Sequence, residues 1–277
     1  LNTTLSNLAT RTLYGLIFAV AMVGSMLFSQ TLFFVLMLFF VFEGSREMIR
    51  LHNSVKFNPN ERTVFHSNAI PPYLLAAAAS WDLISPQWLI LWIIPLMLPY
   101  MHALFSKKRL ASTILLVHWQ ILFFIVLPAS LMIFLQQGRL PENTSGPFVL
   151  LTIILLIWVN DIFAYLTGIS IGRHKLFSRI SPKKTWEGSI GGLLASIGVA
   201  WLIARYASWI NPETAIPLAL IIVVTGSFGD LIESMLKRQS GIKDSGKLIP
   251  GHGGVLDRFD ATFFSVPFAF AYLYLTS

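Results

Sequence analysis

Long apolar runs separated by short polar clusters dominate this chain. Stretches near 12–28, 31–45, 70–84, 87–105, 111–136, 147–170, 189–208, 214–236 and 260–276 carry few charges. A helix crossing the hydrocarbon core needs roughly 20 mostly apolar residues, so the pattern predicts an all-α, polytopic integral membrane protein with about nine spans. The second, third and last stretches are short. The third is the weakest, because Pro71 and Pro72 oppose a continuous helix and the alanines that follow are only weakly apolar. Arg11, the apolar run after it and Ala19-Val20-Ala21 resemble the layout of a signal peptide, but a second apolar segment starts at Thr31, which favours a retained first helix.

Charge tests the count. With nine spans, all but Arg139 and Arg205 of the 20 Lys and Arg residues fall on one side of the membrane. Lys and Arg are retained on the cytoplasmic face, so the amino terminus and both long polar loops are expected there, with the carboxyl terminus outside. One helix more or fewer would scatter the positive charge over both faces. No repeat of fixed period and no soluble domain is visible. The chain therefore reads as a single membrane domain, 1–277, with an amino-terminal helical part (1–150) and a catalytic part (151–277) that carries loops 171–188 and 237–259.

Composition narrows the chemistry. Hydrophobic residues make up 55% and charged residues 12%, a balance a water-facing surface does not accommodate. Cysteine is absent, which removes disulfides and thiolate zinc sites. The net charge of +7 suits nucleic acid, anionic lipid or an anionic substrate. Because the positive charge follows membrane sidedness and the aromatics are spread through apolar spans, nucleic acid is excluded as a partner.

Ionisable residues inside spans are costly and tend to face protein or water-filled cavities. Two places stand out. In the sixth span, Asn160 and Asp161 begin a helical face that continues through Tyr165 and Gly168; a plain interhelical hydrogen bond is the alternative for Asn160. In the eighth, Asp230, Glu233 and Lys237 share a stripe, either as part of a site or as a structural salt bridge. Beyond it lies the segment richest in chemistry: Lys237-Arg238, then Lys243-Asp244-Ser245-Gly246-Lys247, then Gly251-His252-Gly253-Gly254, then Asp257-Arg258-Phe259-Asp260. Glycines bring backbone N–H groups close to phosphate oxygens, and the cations supply charge. Asp257 and Asp260 share a helical face, and Mg²⁺ is typically held by one or two carboxylates plus substrate phosphates. Against this stand a helix N-cap for Asp260 and a favourable charge at a helix start for Asp257. Ser181-Pro182-Lys183-Lys184-Thr185-Trp186-Glu187-Gly188 offers two lysines, a hydroxyl and helix N–H groups to a triphosphate, or else a positive-inside anchor. His252 either donates to a phosphate or braces its loop. His118, inside the fifth span, reads as a packing hydrogen bond.

Ser234-x-Leu236-Lys237-Arg238, Lys243-Asp244-x-Gly246 and Ile249-Pro250-x-His252-Gly253-Gly254-Val255-x-Asp257-Arg258-Phe259-Asp260 together resemble the signature of the phosphatidate cytidylyltransferase (CDP-diacylglycerol synthase) family. Gly229-Asp230-x-x-Glu233-Ser234, the SPKKTWEG loop and Asn160-Asp161 with Ala164-Tyr165 and Gly168 are similar to the same family, so the likeness covers roughly 158–261. The first 150 residues share only hydropathy and Glu43 near the end of the second span, and Ala261 stands where the family has serine. The resemblance implies CTP and phosphatidic acid as substrates, CDP-diacylglycerol and pyrophosphate as products, and a bacterial plasma (inner) membrane enzyme whose cavity faces the cytoplasm. It also implies a homodimer and Mg²⁺ dependence, and it allows a monovalent cation such as K⁺ beside the magnesium.

On that reading Asp230, Asp257 and Asp260 hold metal, and with Lys243 and His252 form the catalytic set. Ser181, Lys183, Lys184, Thr185, Lys237, Arg238, Lys247, Gly253, Gly254 and Arg258 bind CTP or phosphate. Asn160, Asp161, Glu187, Glu233 and Asp244 support or line the cavity. Two rivals remain: a CTP-dependent lipid-alcohol kinase, which releases CDP, and a secondary transporter of an anionic solute, which leaves the Gly-rich acidic and basic loop without a purpose.

Overall fold

The computed structural model describes residues 2–52, 57–105, 111–140, 146–248, 251 and 253–276. His252 lies outside the described residues. Helices account for most of the rest: α1 (Asn2–Phe28), α2 (Gln30–Leu51), α3 (Pro59–Ser80), α4 (Ile93–Phe105) after a 3-10 stretch (Pro86–Trp92), α5 (Ala111–Ile121), α6 (Leu127–Gln136), α7 (Gly146–Ile171), α8 (Trp186–Tyr206), α9 (Pro212–Gln239) and α10 (Leu256–Thr276). Each apolar stretch of the sequence falls in or overlaps a helix. By length and composition, five segments among the described residues are long and apolar enough to cross a membrane: Pro86–Leu104, Ala111–Gln136, Gly146–Ile171, Trp186–Tyr206 and Pro212–Gln239. Large apolar side chains such as Phe28, Leu104 and Leu194 stay outside the core. Apolar exposure on that scale belongs to lipid. The protein is an all-α, multi-pass membrane protein.

Local chemistry explains where the helices start and bend. Ser29 caps α2 by accepting from Leu32 N at 3.2 Å. The third helix begins 11 residues before its apolar stretch and runs straight through Pro71 and Pro72. Its start is set by a capping box: Asn58 Oδ1 accepts from Glu61 N at 2.8 Å while Glu61 Oε2 accepts from Asn58 N at 2.8 Å, with Pro59 in the first turn. Between α5 and α6 the helix widens into a π turn (Leu122–Val126) just ahead of Pro128, which relieves the clash a proline ring makes with the carbonyl four residues back.

The sequence pattern missed one element. Residues 171–188 are not an open loop but hold an antiparallel hairpin, β1 (Lys175–Phe177) with β2 (Ser181–Thr185), in which Lys175 faces Thr185 and Phe177 faces Ser181. Strands this short and polar show no alternation to read. Thr185 ends β2 and caps α8, its hydroxyl accepting from Gly188 N at 3.2 Å.

The chain divides into two compact units, Leu1–Gln137 with Ser240–Phe259, and Gly138–Gln239 with Asp260–Ser277. The first is built around Phe33, Met37, Phe65, Tyr73, Ile125 and Met132. Two of its buried polar side chains bond to backbone carbonyls: Tyr73 donates to Phe34 O at 2.9 Å and Gln136 to Met26 O at 3.1 Å. In the second unit α7 and α8 approach almost backbone to backbone, because Gly188, Gly191 and Gly192 turn a side-chain-free face to α7. A Cβ on Gly192 would lie 2.5 Å from Asn160 Oδ1, and one on Gly188 2.6 Å from Ala164 O. Small residues are what permit such contact between helices in lipid.

Candidate active site

In the second unit the hairpin, α7 and α9 enclose a cavity of ≈ 560 Å³ lined by Asn160, Asp161, Lys183, Lys184, Thr185 and Asp230, among others. The sequence placed these residues in three separate motifs, and the fold brings them to one wall. Lys184, half-buried on β2, pairs directly with Asp230 on α9. Asp230 is held further by Ser234, whose hydroxyl donates to its Oδ1 at 3.1 Å. Lys183, the neighbour of Lys184 in the strand, is exposed at the cavity rim. Glu187 fixes the hairpin to the start of α8: its carboxylate accepts from Arg173 N at 3.1 Å, His174 N at 3.2 Å and His174 Nδ1 at 2.6 Å.

The stripe on α9 separates in the fold. Glu233 is fully buried and pairs with Lys237 one turn on, the structural salt bridge among the two readings, whereas Asp230 turns to Lys184. Asn160 does not make its interhelical bond through Oδ1, which is buried with no hydrogen-bond partner among the described residues. An orphaned acceptor at a cavity wall is a costly arrangement that a bound donor would relieve.

Asp260 is not an N-cap. α10 starts at Leu256, so Asp260 sits inside the helix, with its Oδ1 accepting from Ala261 N at 2.7 Å. Gly229 brings α9 against this turn, since a Cβ there would overlap Asp260 O and lie 2.6 Å from Phe264 Cβ. Asp230, Glu233 and Asp161 all act electrostatically on Asp260. Acids gathered around a fourth in an apolar surrounding call for cations, of which the protein supplies Lys184 to Asp230 and Lys237 to Glu233. Among the described residues no group of three or more His, Asp or Glu side chains is arranged to hold a metal by itself. The donors fit magnesium nonetheless. They are hard carboxylate oxygens, few in number, which suits an ion that keeps water and takes its remaining ligands from phosphate.

The Gly-rich segment lies in the first unit. Asp257, in the first turn of α10, accepts through Oδ2 from Ser245 N (2.8 Å) and Gly254 N (2.8 Å), and Ser245 Oγ lies 2.9 Å from the same oxygen. The favourable helix-start placement anticipated for Asp257 is therefore present, and the same bonds fold the segment back on itself. Gly253 has φ +87°, a conformation open to glycine, and a Cβ there would overlap the Asp257 carboxylate. Lys243, Asp244, Lys247 and Arg258 are exposed along this segment, as is Arg238 at the end of α9; Ser181 is half-buried.

Two features escaped the sequence. Ser189 and Ser227 join the cavity wall, and single serines in apolar helices carry no signal. Glu47, on α2, is fully buried and bonded to Ser245, Val255 and Leu256. Its partners lie about two hundred residues on, beyond any local pattern.

Known proteins share sequence with this chain over about half its length. A phosphatidate cytidylyltransferase of Haemophilus influenzae is 43% identical over 145 residues, 49% of this chain and 50% of that protein. One from a Synechocystis species is 47% identical over 137 residues (49% and 46%), and one from Staphylococcus aureus 43% over 126 residues (45% and 48%). The matches thus span about half the length of these curated relatives. The model of the cytidylyltransferase family matches residues 9–276. The hairpin lysines, the α9 carboxylates and the Gly-rich turn into α10 are accordingly the parts of a membrane protein that belongs to the cytidylyltransferase family.

Proposed function

We propose that this chain joins phosphatidic acid to CTP, giving CDP-diacylglycerol and pyrophosphate at the cytoplasmic face of a bacterial plasma membrane. The observation that carries the reading is the cavity wall on which Lys183, Lys184, Thr185 and Asp230 meet, next to the crowded carboxylates of α9 and α10. Basic and acidic groups lining one cavity in an apolar protein are what a polyphosphate and its counter-ion require.

The phosphate monoester of phosphatidic acid has a second pKa of about 6, by analogy with phosphorylated side chains, so it arrives largely dianionic and needs no general base. Its oxygen attacks the α-phosphorus of CTP. The bond from that phosphorus to the bridging oxygen breaks, and pyrophosphate leaves with the electron pair. Catalysis then rests on placing two anions side by side and stabilising the charge that leaves. Lys183, Lys184 and the N-terminal turn of α8 hold the triphosphate. Lys237, Arg238, Lys243, Lys247 and Arg258 supply further positive charge to nucleotide and lipid phosphate. Asp230 and Asp260, with Asp257 one turn earlier on α10, would hold Mg²⁺. When bound, the ion neutralises the phosphate oxygens that the carboxylates alone would repel.

The test is purified protein with labelled CTP and phosphatidic acid. CDP-diacylglycerol and pyrophosphate are expected in equal amounts, with the activity abolished by EDTA and restored by Mg²⁺. CDP as the released product would instead make the chain a lipid kinase, and transfer that survives EDTA would remove the metal from the reading.

A further inference from the structure

We infer that Glu47 is a positioning residue for cytidylyl transfer: from α2 it sets the shape of the segment 245–257 and, through it, the place of Asp257. The inference rests on the function proposed above. It concerns α2, outside the 158–261 stretch whose motifs drew the resemblance in the sequence, though within the residues the family model matches.

Glu47 is fully buried, yet it ends in no simple ion pair within its own helix turn. Its Oε1 accepts from Val255 N at 3.0 Å, and its Oε2 from Leu256 N at 2.9 Å and Ser245 Oγ at 2.9 Å. The first two donors belong to the N-terminal end of α10, where backbone N–H groups have no partner inside the helix. The third, Ser245, also contacts Asp257, donating to its Oδ2 from the backbone at 2.8 Å and lying within 2.9 Å of it through the hydroxyl. One serine is therefore clasped between two carboxylates from opposite ends of the chain.

The glycines around it fit the same account. A Cβ on Gly246 or Gly254 would overlap the Glu47 carboxylate, and one on Gly253 the Asp257 carboxylate. Three of the glycines that look like phosphate-loop glycines in the sequence thus clear space for acidic side chains of the protein itself. The segment is folded around two carboxylates, and its outward cations Lys243, Lys247 and Arg258 are displayed by that frame.

Chemistry restricts what can replace Glu47. A carboxylate is all acceptor and meets three donors at once. Glutamine offers one acceptor oxygen and sets an NH₂ group against an N–H, and aspartate is one methylene short. Glu47→Gln in the purified protein is expected to lower kcat about 100-fold, the scale of a small misplacement of reacting groups, while the KM for CTP moves less than about 3-fold. Trypsin should cut at Lys243, Lys247 or Arg258 about 10-fold faster than in the parent protein, with helical circular dichroism unchanged. Wild-type kcat or wild-type cleavage in Glu47→Gln overturns the inference. If that variant fails to insert, Ser245→Ala is read in its place, with about 10-fold effects expected on kcat and cleavage and parental values counting against the inference. The cleavage arm needs no substrate. A parent protein inactive with CTP and phosphatidic acid thus sinks the proposed function, while trypsin still decides whether Glu47 holds the segment.

Discussion

The first unit and the second both bury polar side chains among apolar helices, and they do so in opposite ways. In the first, His118 is buried against Phe65, receives Asn68 Nδ2 at 3.2 Å and meets His102 Nδ1 at 2.9 Å, while Asn68 also donates to Pro95 O at 3.1 Å. These neutral groups face one another, although Asn68 Oδ1, like Asn160 Oδ1 in the second unit, has no partner among the described residues. In the second, Asp161 and Asp230 line a cavity, and both bear, with the buried Glu233, on Asp260. Polarity inside a membrane protein is therefore not in itself a mark of function. A neutral cluster closed on itself ties helices together, whereas carboxylates and lysines gathered beside a cavity suit a charged ligand that completes them.

The sharpest way to break this contrast is at the carboxylates. Asp230→Asn and Asp260→Asn are expected to lower transfer by about 10³-fold or more, the upper end for loss of a charge-stabilising group. Protein yield and helicity should be unchanged, because removing one of several repelling charges relieves the fold. Asp257→Asn should likewise abolish turnover in inserted protein, and near-normal rates would take Asp257 out of the metal site. A smaller effect is expected at Lys184→Ala, about 10²-fold in kcat/KM for CTP, read by steady-state kinetics. If Lys184 only neutralises Asp230, the rate will hold and stability alone will fall. Lys243→Ala, exposed on its segment, should cost about 10-fold, mostly in KM, as one phosphate contact among several. The least effect on turnover belongs to the first unit. His118→Leu should stay within about 3-fold of the parent rate while destabilising the protein by about 1–3 kcal/mol, because Asn68 and His102 lose a partner. Thermal unfolding in detergent measures it, and a His118→Leu protein that is stable but inactive would erase the distinction between the two regions.

Much of this was legible without coordinates. The apolar stretches lie in helices because hydrophobic run length is a local property that lipid enforces strictly. The SPKKTWEG segment was expected at a helix start, and Thr185 caps α8. The packing role of His118 was also foreseen from its lone place in an apolar run. What local pattern could not supply were partners. Asp230, Glu233 and Lys237 shared one stripe, and only the fold shows that Lys237 serves Glu233 while Asp230 turns to Lys184. A cap was the alternative to a metal ligand at Asp260, and it falls because α10 begins four residues earlier, at Leu256. The capping box at Asn58 and Glu61 extended α3 well beyond its apolar core.

By itself the sequence determined the solvent, the helical class, the sidedness of charge as an expectation, and the residue types gathered for phosphate chemistry. Each follows from composition or from spacing within a few turns. Only the tertiary structure decided that Lys184 meets Asp230, that Gly229 seats α9 against Asp260, and that Glu47 organises a segment two hundred residues away. Hydrogen bonds and ion pairs act over about 3 Å, and which groups come that close depends on how helices pack, a matter settled by the shapes of distant residues together.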